Sequence, residues 1–158
     1  MIPGVGVTPP LTYFLRPAQA QDVDGITACV DAAYRPYIER IGRKPGPMLE
    51  DYARVIEERQ VTVAESKGGI AGVLVLAPTP EGLLLDNVAV LPEHRGIGKA
   101  LLQYAESEAR RQGFGSLYLY THEQMSENRA LYSKIGYIEY DRRVEYGFAR
   151  VYMRKSLE

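Results

Sequence analysis

Apolar residues recur along the chain with two periods, and each change of period marks an element. Leu11 to Leu15 is a short apolar stretch closed by Arg16-Pro17, which predicts a strand. Val23, Ile26, Val30 and Ala33 follow at helical spacing, with Asp22 placed to cap their helix. Pro36 is expected to interrupt or re-aim that helix, because proline lacks the N–H the ladder needs. Gly-Arg-Lys-Pro-Gly-Pro over 42–47 excludes regular structure, and Leu49, Tyr52, Val55 and Ile56 restore helical spacing over Met48 to Glu58.

The period then shortens to two. Val61-Thr62-Val63-Ala64, a Ser66-Lys67-Gly68-Gly69 turn and the β-branched run Ile70 to Ala77 predict an antiparallel hairpin. Leu83 to Val90 is apolar enough for a central strand buried on both faces, and Pro92 ends it. Ile97, Leu101, Leu102, Ala105 and Ala109 mark a long amphipathic helix, with Gly113 placed at its C-terminus. Leu117 to Thr121 reads as another strand. Ser126 is placed to cap a short helix through Ala130, Leu131 and Ile135, closed by Gly136. Tyr137 to Tyr140 and Phe148 to Met153 form a final strand pair around Gly147. The order is strand, two helices, three strands, helix, strand, helix, two strands. This is a mixed α/β domain with an antiparallel start and one βαβ-like crossover.

Composition narrows the class. A chain of 158 residues, 46% hydrophobic and 25% charged, is one domain over 11–158 with a core of its own, preceded by a Pro- and Gly-rich arm over 1–10. Nineteen Lys and Arg against 20 Asp and Glu leave a net charge of −1, so nucleic acid is not an expected partner. A single cysteine fits a reducing cytoplasm, and Cys29 sits on the apolar spacing of the first helix, as a core residue would. With two histidines, no metal site is expected. No apolar run approaches the roughly 18 residues of a membrane span, and the first residues lack a signal-peptide pattern, so no membrane partner is expected. Twelve tyrosines against three phenylalanines are unusual, and tyrosine suits half-buried walls that need a polar tip.

The chemistry concentrates at 83–100. The buried strand runs through Leu91-Pro92-Glu93-His94 into Arg95-Gly96-Ile97-Gly98-Lys99-Ala100, which opens the long helix. A helix start presents unpaired N–H groups and positive potential, and glycines let an anion approach the backbone closely. The layout is a pyrophosphate cradle. It is not a Walker loop, since Glu93 and Ala100 stand where glycine and a hydroxyl belong. It is not a Rossmann fingerprint either, since Leu101 replaces the third glycine.

Arg95-x-x-Gly98-x-Ala100 does match Arg/Gln-x-x-Gly-x-Gly/Ala, and it follows an apolar strand ending Val-Ala-Val. Asn128-Arg-Ala-Leu-Tyr132-Ser-Lys-Ile-Gly136-Tyr137 follows about thirty residues later. Together these blocks resemble the GNAT (Gcn5-related) N-acetyltransferase superfamily, and the element order follows the family over about residues 11–155. The resemblance implies a GNAT-type α/β (α+β) fold, with a mostly antiparallel sheet of about six or seven strands flanked by about four helices. It implies acetyl-CoA as cosubstrate. The backbone of Arg95, Gly96, Ile97, Gly98, Lys99 and Ala100 would hold the pyrophosphate, and the edge of Val88, Ala89 and Val90 would pair with the pantetheine amides. Asn128 and Lys134 would be further contacts, although Lys134 reads equally well as a solvated charge. The resemblance also allows a homodimer.

Acetyl transfer needs a neutral amine, a donor for the carbonyl oxygen and a proton for the leaving thiolate. Tyr132 is the candidate acid, by its motif position. Asp86, set in an apolar run where desolvation raises its pKa, is the candidate base, against the plainer reading of a carboxylate tied up in hydrogen bonds. His122 is a weaker candidate. For the acceptor amine, Tyr34, Tyr37, Tyr52 and Tyr146 are expected to wall a pocket, with Glu50, Asp51 or Glu145 attracting its cation. The expected activity is direct acetyl transfer to a primary amine of a small molecule, peptide or protein. The alternative is a non-catalytic acyl-CoA-binding sensor or scaffold, which would need the cradle but neither Tyr132 nor a base.

Overall fold

The computed structural model describes residues 12–94 and 96–158. The arm expected over 1–10, and Arg95 of the cradle, lie outside the described residues. Among the described residues seven strands form one sheet: β1 (Phe14–Pro17), β2 (Gln60–Ser66), β3 (Gly69–Thr79), β4 (Gly82–Val90), β5 (Ser116–His122), β6 (Ile138–Glu145) and β7 (Phe148–Ser156). Their order is β1-β2-β3-β4-β5-β7-β6. Only β4 and β5 are parallel. A parallel pair needs a crossover, and α4 (Gly96–Arg111) supplies it. On the α4 face also lies α5 (Ser126–Lys134); the opposite face carries α1 (Val23–Tyr34) and α3 (Tyr52–Glu58), with a single turn, α2 (Ile38–Ile41), after Pro36. The mixed, mostly antiparallel architecture expected from the sequence is therefore the one observed.

Three local expectations fail for identifiable reasons. Asp22 does not cap α1, because a short 3-10 turn, Ala20–Asp22, precedes the helix. Its carboxylate instead accepts the Gln19 N–H at 2.7 Å and two Arg16 N–H groups at 2.8 and 2.9 Å. The helix expected over 48–58 is broken: a 3-10 turn, Gly46–Leu49, gives way to extended Glu50 and Asp51, and Asp51 then caps α3 by accepting the Ala53 N–H at 3.1 Å. Met125, not Ser126, is the N-cap of α5, and Ser126 Oγ donates to the Glu127 carboxylate at 3.0 Å.

Two apolar layers sandwich the sheet. Leu74, Leu76, Leu83, Leu85, Ile97, Leu101, Leu117, Leu119 and Met153 pack on the α4 face. Ile26, Val30, Val55, Val63, Val73, Val75 and Ala89 pack beneath α1 and α3, and Cys29 is buried with them, its thiol pushed up to about 12 by burial. Each such aliphatic side chain contributes about 1.5–3 kcal/mol by leaving water.

The decisive irregularity is in β4. Val75 of β3 faces Asn87, but the next residue, Leu76, faces Leu85, so β4 carries Asp86 as one extra residue. Before this bulge Leu83 and Leu85 point to the α4 face; after it Asn87 and Ala89 point to the α1 face. At the same place β4 parts from β5. Their ladder joins only Leu83–Leu85 to Leu117–Leu119, and the β4 edge beyond it has no β5 partner.

On the α1 side of β5, β7 and β6, arginines lie over tyrosine rings. The Arg143 guanidinium carbon stands 3.9 Å from the Tyr152 ring centre, and Arg150 stands 4.1 Å from that of Tyr120. Arg154 stands 5.0 Å from the Tyr118 ring centre, and under these guanidiniums Tyr118 and Tyr152 are buried.

A close approach sets the position of α4. A Cβ on Gly72 of β3 would stand 2.9 Å from Ile97 Cγ2 and 3.0 Å from Leu101 Cδ1. Gly72→Ala should therefore cost about 1–3 kcal/mol, the usual range for overpacking, measured as a lower urea midpoint with an unchanged m-value.

Candidate functional site

The parting of β4 and β5 opens a cavity of ≈ 110 Å³. Its walls come from both faces of the sheet. Asp86, Asn87 and Val88 of β4 meet Tyr120, Thr121 and His122 of β5. Tyr34 of α1, and Tyr52 and Arg59 at the two ends of α3, close it on one side; Asn128 and Tyr132 of α5 close it on the other. Phe148 and Arg150 of β7, with Gly46, Pro47 and Glu50, complete it.

Asp86 is held from two directions. Arg59 Nη1 donates to Oδ2 at 2.7 Å and the Tyr120 hydroxyl donates to Oδ1 at 3.3 Å. Burial raises the Asp86 pKa, while Arg59 and the hydrogen bonds pull it back, and the net shift is upward. Glu50, which also contacts Arg59 at 3.4 Å, adds like charge that favours the protonated acid. Both readings of Asp86 thus have a part in the geometry: the carboxylate is hydrogen-bonded, and its proton affinity is raised.

Asn87, the next residue, is buried and makes a polar strut. Its Oδ1 accepts the Tyr34 hydroxyl at 2.7 Å and its Nδ2 donates to the Tyr52 hydroxyl at 3.2 Å. Tyr52 in turn donates to the Pro47 carbonyl at 2.7 Å. This chain ties α1, α3 and the 42–47 loop to β4, and it positions two of the four expected tyrosines. The other two lie elsewhere. Tyr37 reaches Glu127 at 3.4 Å and stacks under Arg40, outside the cavity lining. Tyr146 is 87% exposed in the two-residue β6–β7 turn, where it and Gly147 both have positive φ. Among the expected acidic groups only Glu50 lines the cavity; Asp51 is occupied as a cap, and Glu145 accepts the Tyr152 hydroxyl.

Tyr132 is 8% exposed, packs edge-to-face on Tyr137 with ring centres 5.7 Å apart, and lines the cavity four residues after Asn128. Burial raises its pKa, so the phenol keeps its proton at neutral pH. His122 lines the cavity too, but burial lowers its pKa and its Nδ1 accepts the Gln124 N–H at 3.0 Å. Lys134 is exposed at the end of α5, away from the cavity.

The glycine pair expected to form a cradle lies at the start of α4. Gly96 is exposed, and a Cβ there would meet nothing within 4 Å; at Gly98 it would meet only Val90 Cγ2, at 3.5 Å. The Ile97 side chain is buried in the core, Lys99 is exposed, and the first-turn N–H groups of a helix have no intrahelical partner. From the helix start the unpaired β4 edge over Val88, Ala89 and Val90 leads towards Asp86. An anion at the helix start, an extended chain along the edge and a reacting group in the cavity fit this arrangement.

Arg59, Tyr120 and Arg150 are cavity residues that the sequence pattern does not single out. Arg59 follows the last residue of a short helix, Tyr120 is one of twelve tyrosines, and Arg150 lies in a strand with two other basic residues.

Residues 26–137 match the model of the acetyltransferase (GNAT) family. The rat protein N-acetyltransferase family 8 member 3 is 35% identical over 83 residues, which is 48% of this chain and 36% of that protein. A protein of the GNAT family from Desulfovibrio desulfuricans superposes with a TM-score of 0.75 at 20% identity, covering 93% of this chain and 100% of its own. The PaiA N-acetyltransferase of Thermoplasma acidophilum, solved with coenzyme A, has a TM-score of 0.73 at 20% identity, covering 92% and 99%.

The raised pKa of Asp86 has a sign that denaturation can read. The folded chain holds the Asp86 proton more tightly than the unfolded chain, whose value is 3.8. Its contribution to stability is therefore fully present below 3.8 and is lost as pH rises through the folded-state pKa. Asp86→Asn removes that titration, so the wild type should lose stability relative to the variant over this window in urea melts at stepped pH.

Proposed function

The chain belongs to the acetyltransferase (GNAT) family, and from that premise we propose that it transfers acetyl from acetyl-CoA directly to a primary amine bound in the β4–β5 cavity. The observation that carries this reading is the meeting of three features at one gap: an open helix start, an unpaired strand edge and a cavity lined by both Asp86 and Tyr132.

In this reading the first-turn N–H groups of α4, from Gly96 to Ala100, bind the pyrophosphate, together with Arg95. The edge of Val88, Ala89 and Val90 holds the pantetheine arm by strand-like hydrogen bonds, and Asn128 and Lys134 are additional contacts. Acetyl-CoA supplies the thioester that the amine attacks. One N–H of the β4 edge donates to the thioester carbonyl oxygen as negative charge grows there. Asp86 takes the proton the amine must lose, its affinity for that proton being raised by burial. Arg59 and Tyr120 position the Asp86 carboxylate. Tyr132 gives its phenolic proton to the departing CoA thiolate. Tyr34 and Tyr52, fixed through Asn87, form the wall against which the acceptor rests.

Free thiol release on mixing protein, acetyl-CoA and a panel of amines tests the activity, and a protein that binds acetyl-CoA yet releases none with any amine would be a binding module instead. Gly98→Glu should abolish acetyl-CoA binding in calorimetry, since it sets a negative side chain where the pyrophosphate docks. Tyr132→Phe keeps the ring and its packing on Tyr137. It should lower kcat by about 10²-fold, the low end for general acid–base catalysis, with unchanged acetyl-CoA affinity.

A further inference from the structure

The charges around the cavity are sorted. At the β4 end stand Asp86 and Glu50 against one guanidinium, Arg59. At the β7 end stand Arg150 and Arg43 against one carboxylate, Glu145. One end carries a net negative charge and the other a net positive charge, and the Tyr120 ring separates them. Its hydroxyl reaches Asp86 while its face carries Arg150.

Arg150 is built as a binding group. Its side chain is only 14% exposed, it lines the cavity, and its guanidinium carbon stands over the Tyr120 ring and 5.8 Å from the Phe148 ring centre. Among the described residues its hydrogen bonding amounts to one long contact, Nη1 to Glu145 Oε1 at 3.4 Å. Glu145 is itself engaged by the Tyr152 hydroxyl. A guanidinium has five donors in a planar fork suited to a carboxylate, so most of this one's capacity is unspent. The Arg43 guanidinium carbon stands 3.6 Å from the Phe148 ring centre, and Arg43 donates to the Tyr146 carbonyl, latching the 42–47 loop across the β7 end. Both arginines act on His122 and help to lower its pKa, so a positive field reaches the cavity wall.

We infer that the acceptor is a small amino acid that carries its own carboxylate: Arg150 receives the carboxylate, Arg43 adds to the field, and the amine is presented at the Asp86 end. This rests on the acetyltransferase reading above and deepens it. A monoamine would leave Arg150 without its partner and the positive end of the cavity uncompensated. The space of ≈ 110 Å³ between the strands is of a size for a compact acceptor group.

The test pairs each standard α-amino acid with the amine formed by its decarboxylation, with free CoA release as readout. The wild type should show a higher kcat/KM for at least one amino acid than for its paired amine, by about 10- to 100-fold, the range of a charge-assisted hydrogen bond. Arg150→Gln should shrink that ratio, the amino acid's kcat/KM falling further than that of its paired amine. Arg150→Lys, which keeps the charge, should restore part of it, and thermal melts of both variants check folding. Wild-type turnover of the amines at rates equal to or above those of the amino acids overturns this inference and leaves the acetyltransferase reading standing. Turnover of neither set by protein that binds acetyl-CoA overturns this inference, and the wider amine panel above then decides the acetyltransferase reading. The wild-type comparison decides between these outcomes even if neither variant folds.

Discussion

One extra residue in β4 organises the site. Asp86 interrupts the register with β3 at the position where β4 stops pairing with β5. Without that bulge, period-two alternation would keep Leu83, Leu85, Asn87 and Ala89 on one face, and Asn87 would be driven into the aliphatic layer under α4. With it, Asn87 turns to the α1 face and bonds Tyr34 and Tyr52, and Asp86 is left in the opening between the strands. A local kink and stronger twist are the ordinary consequences of a bulge, and here they coincide with the gap.

The rest of the cavity depends on what is packed around that gap. Asp86 tolerates burial because Arg59 and Tyr120 satisfy both of its oxygens, and Arg59 is delivered by the last turn of α3. α3 in turn is placed by the Tyr52–Asn87 bond and by the Asp51 cap. These contacts form a closed set: β4 sets Asn87, Asn87 sets Tyr52, α3 sets Arg59, and Arg59 returns to β4. Such a loop of satisfied polar groups rigidifies a site, while any missing member leaves a buried group unpaired.

The surplus of tyrosine has a structural account. The α1 face of the sheet is covered by helices over β2, β3 and β4, while over β5, β7 and β6 arginines lie on tyrosine rings. A tyrosine can be buried there by a guanidinium and keep its hydroxyl for Asp86, Glu145 or Thr79. Phenylalanine or a large aliphatic residue would present the same apolar area without that polar tip.

The family and the element order were legible in the chain because their signals are local: a glycine pair at a helix start, a strand before it, and Tyr132 four residues after Asn128 are fixed by short-range spacing. Cys29 was legible as core by its helical period. What the tertiary structure decided was which side chains meet. Asp86 and Asn87 interrupt the run Leu83 to Val90, but an adjacent polar pair does not by itself say which residue is extra in the register, since alternation leaves no trace where both faces are buried. Arg59, Tyr120 and Arg150 come from three separate elements and converge only when β4 and β5 part. Tyr37 and Tyr146 share composition with Tyr34 and Tyr52, yet one turn of helix and one hairpin tip carry them out of the cavity. Spacing along the chain determines local conformation and motif geometry; the register of one strand against its neighbours determines which charges share a cavity.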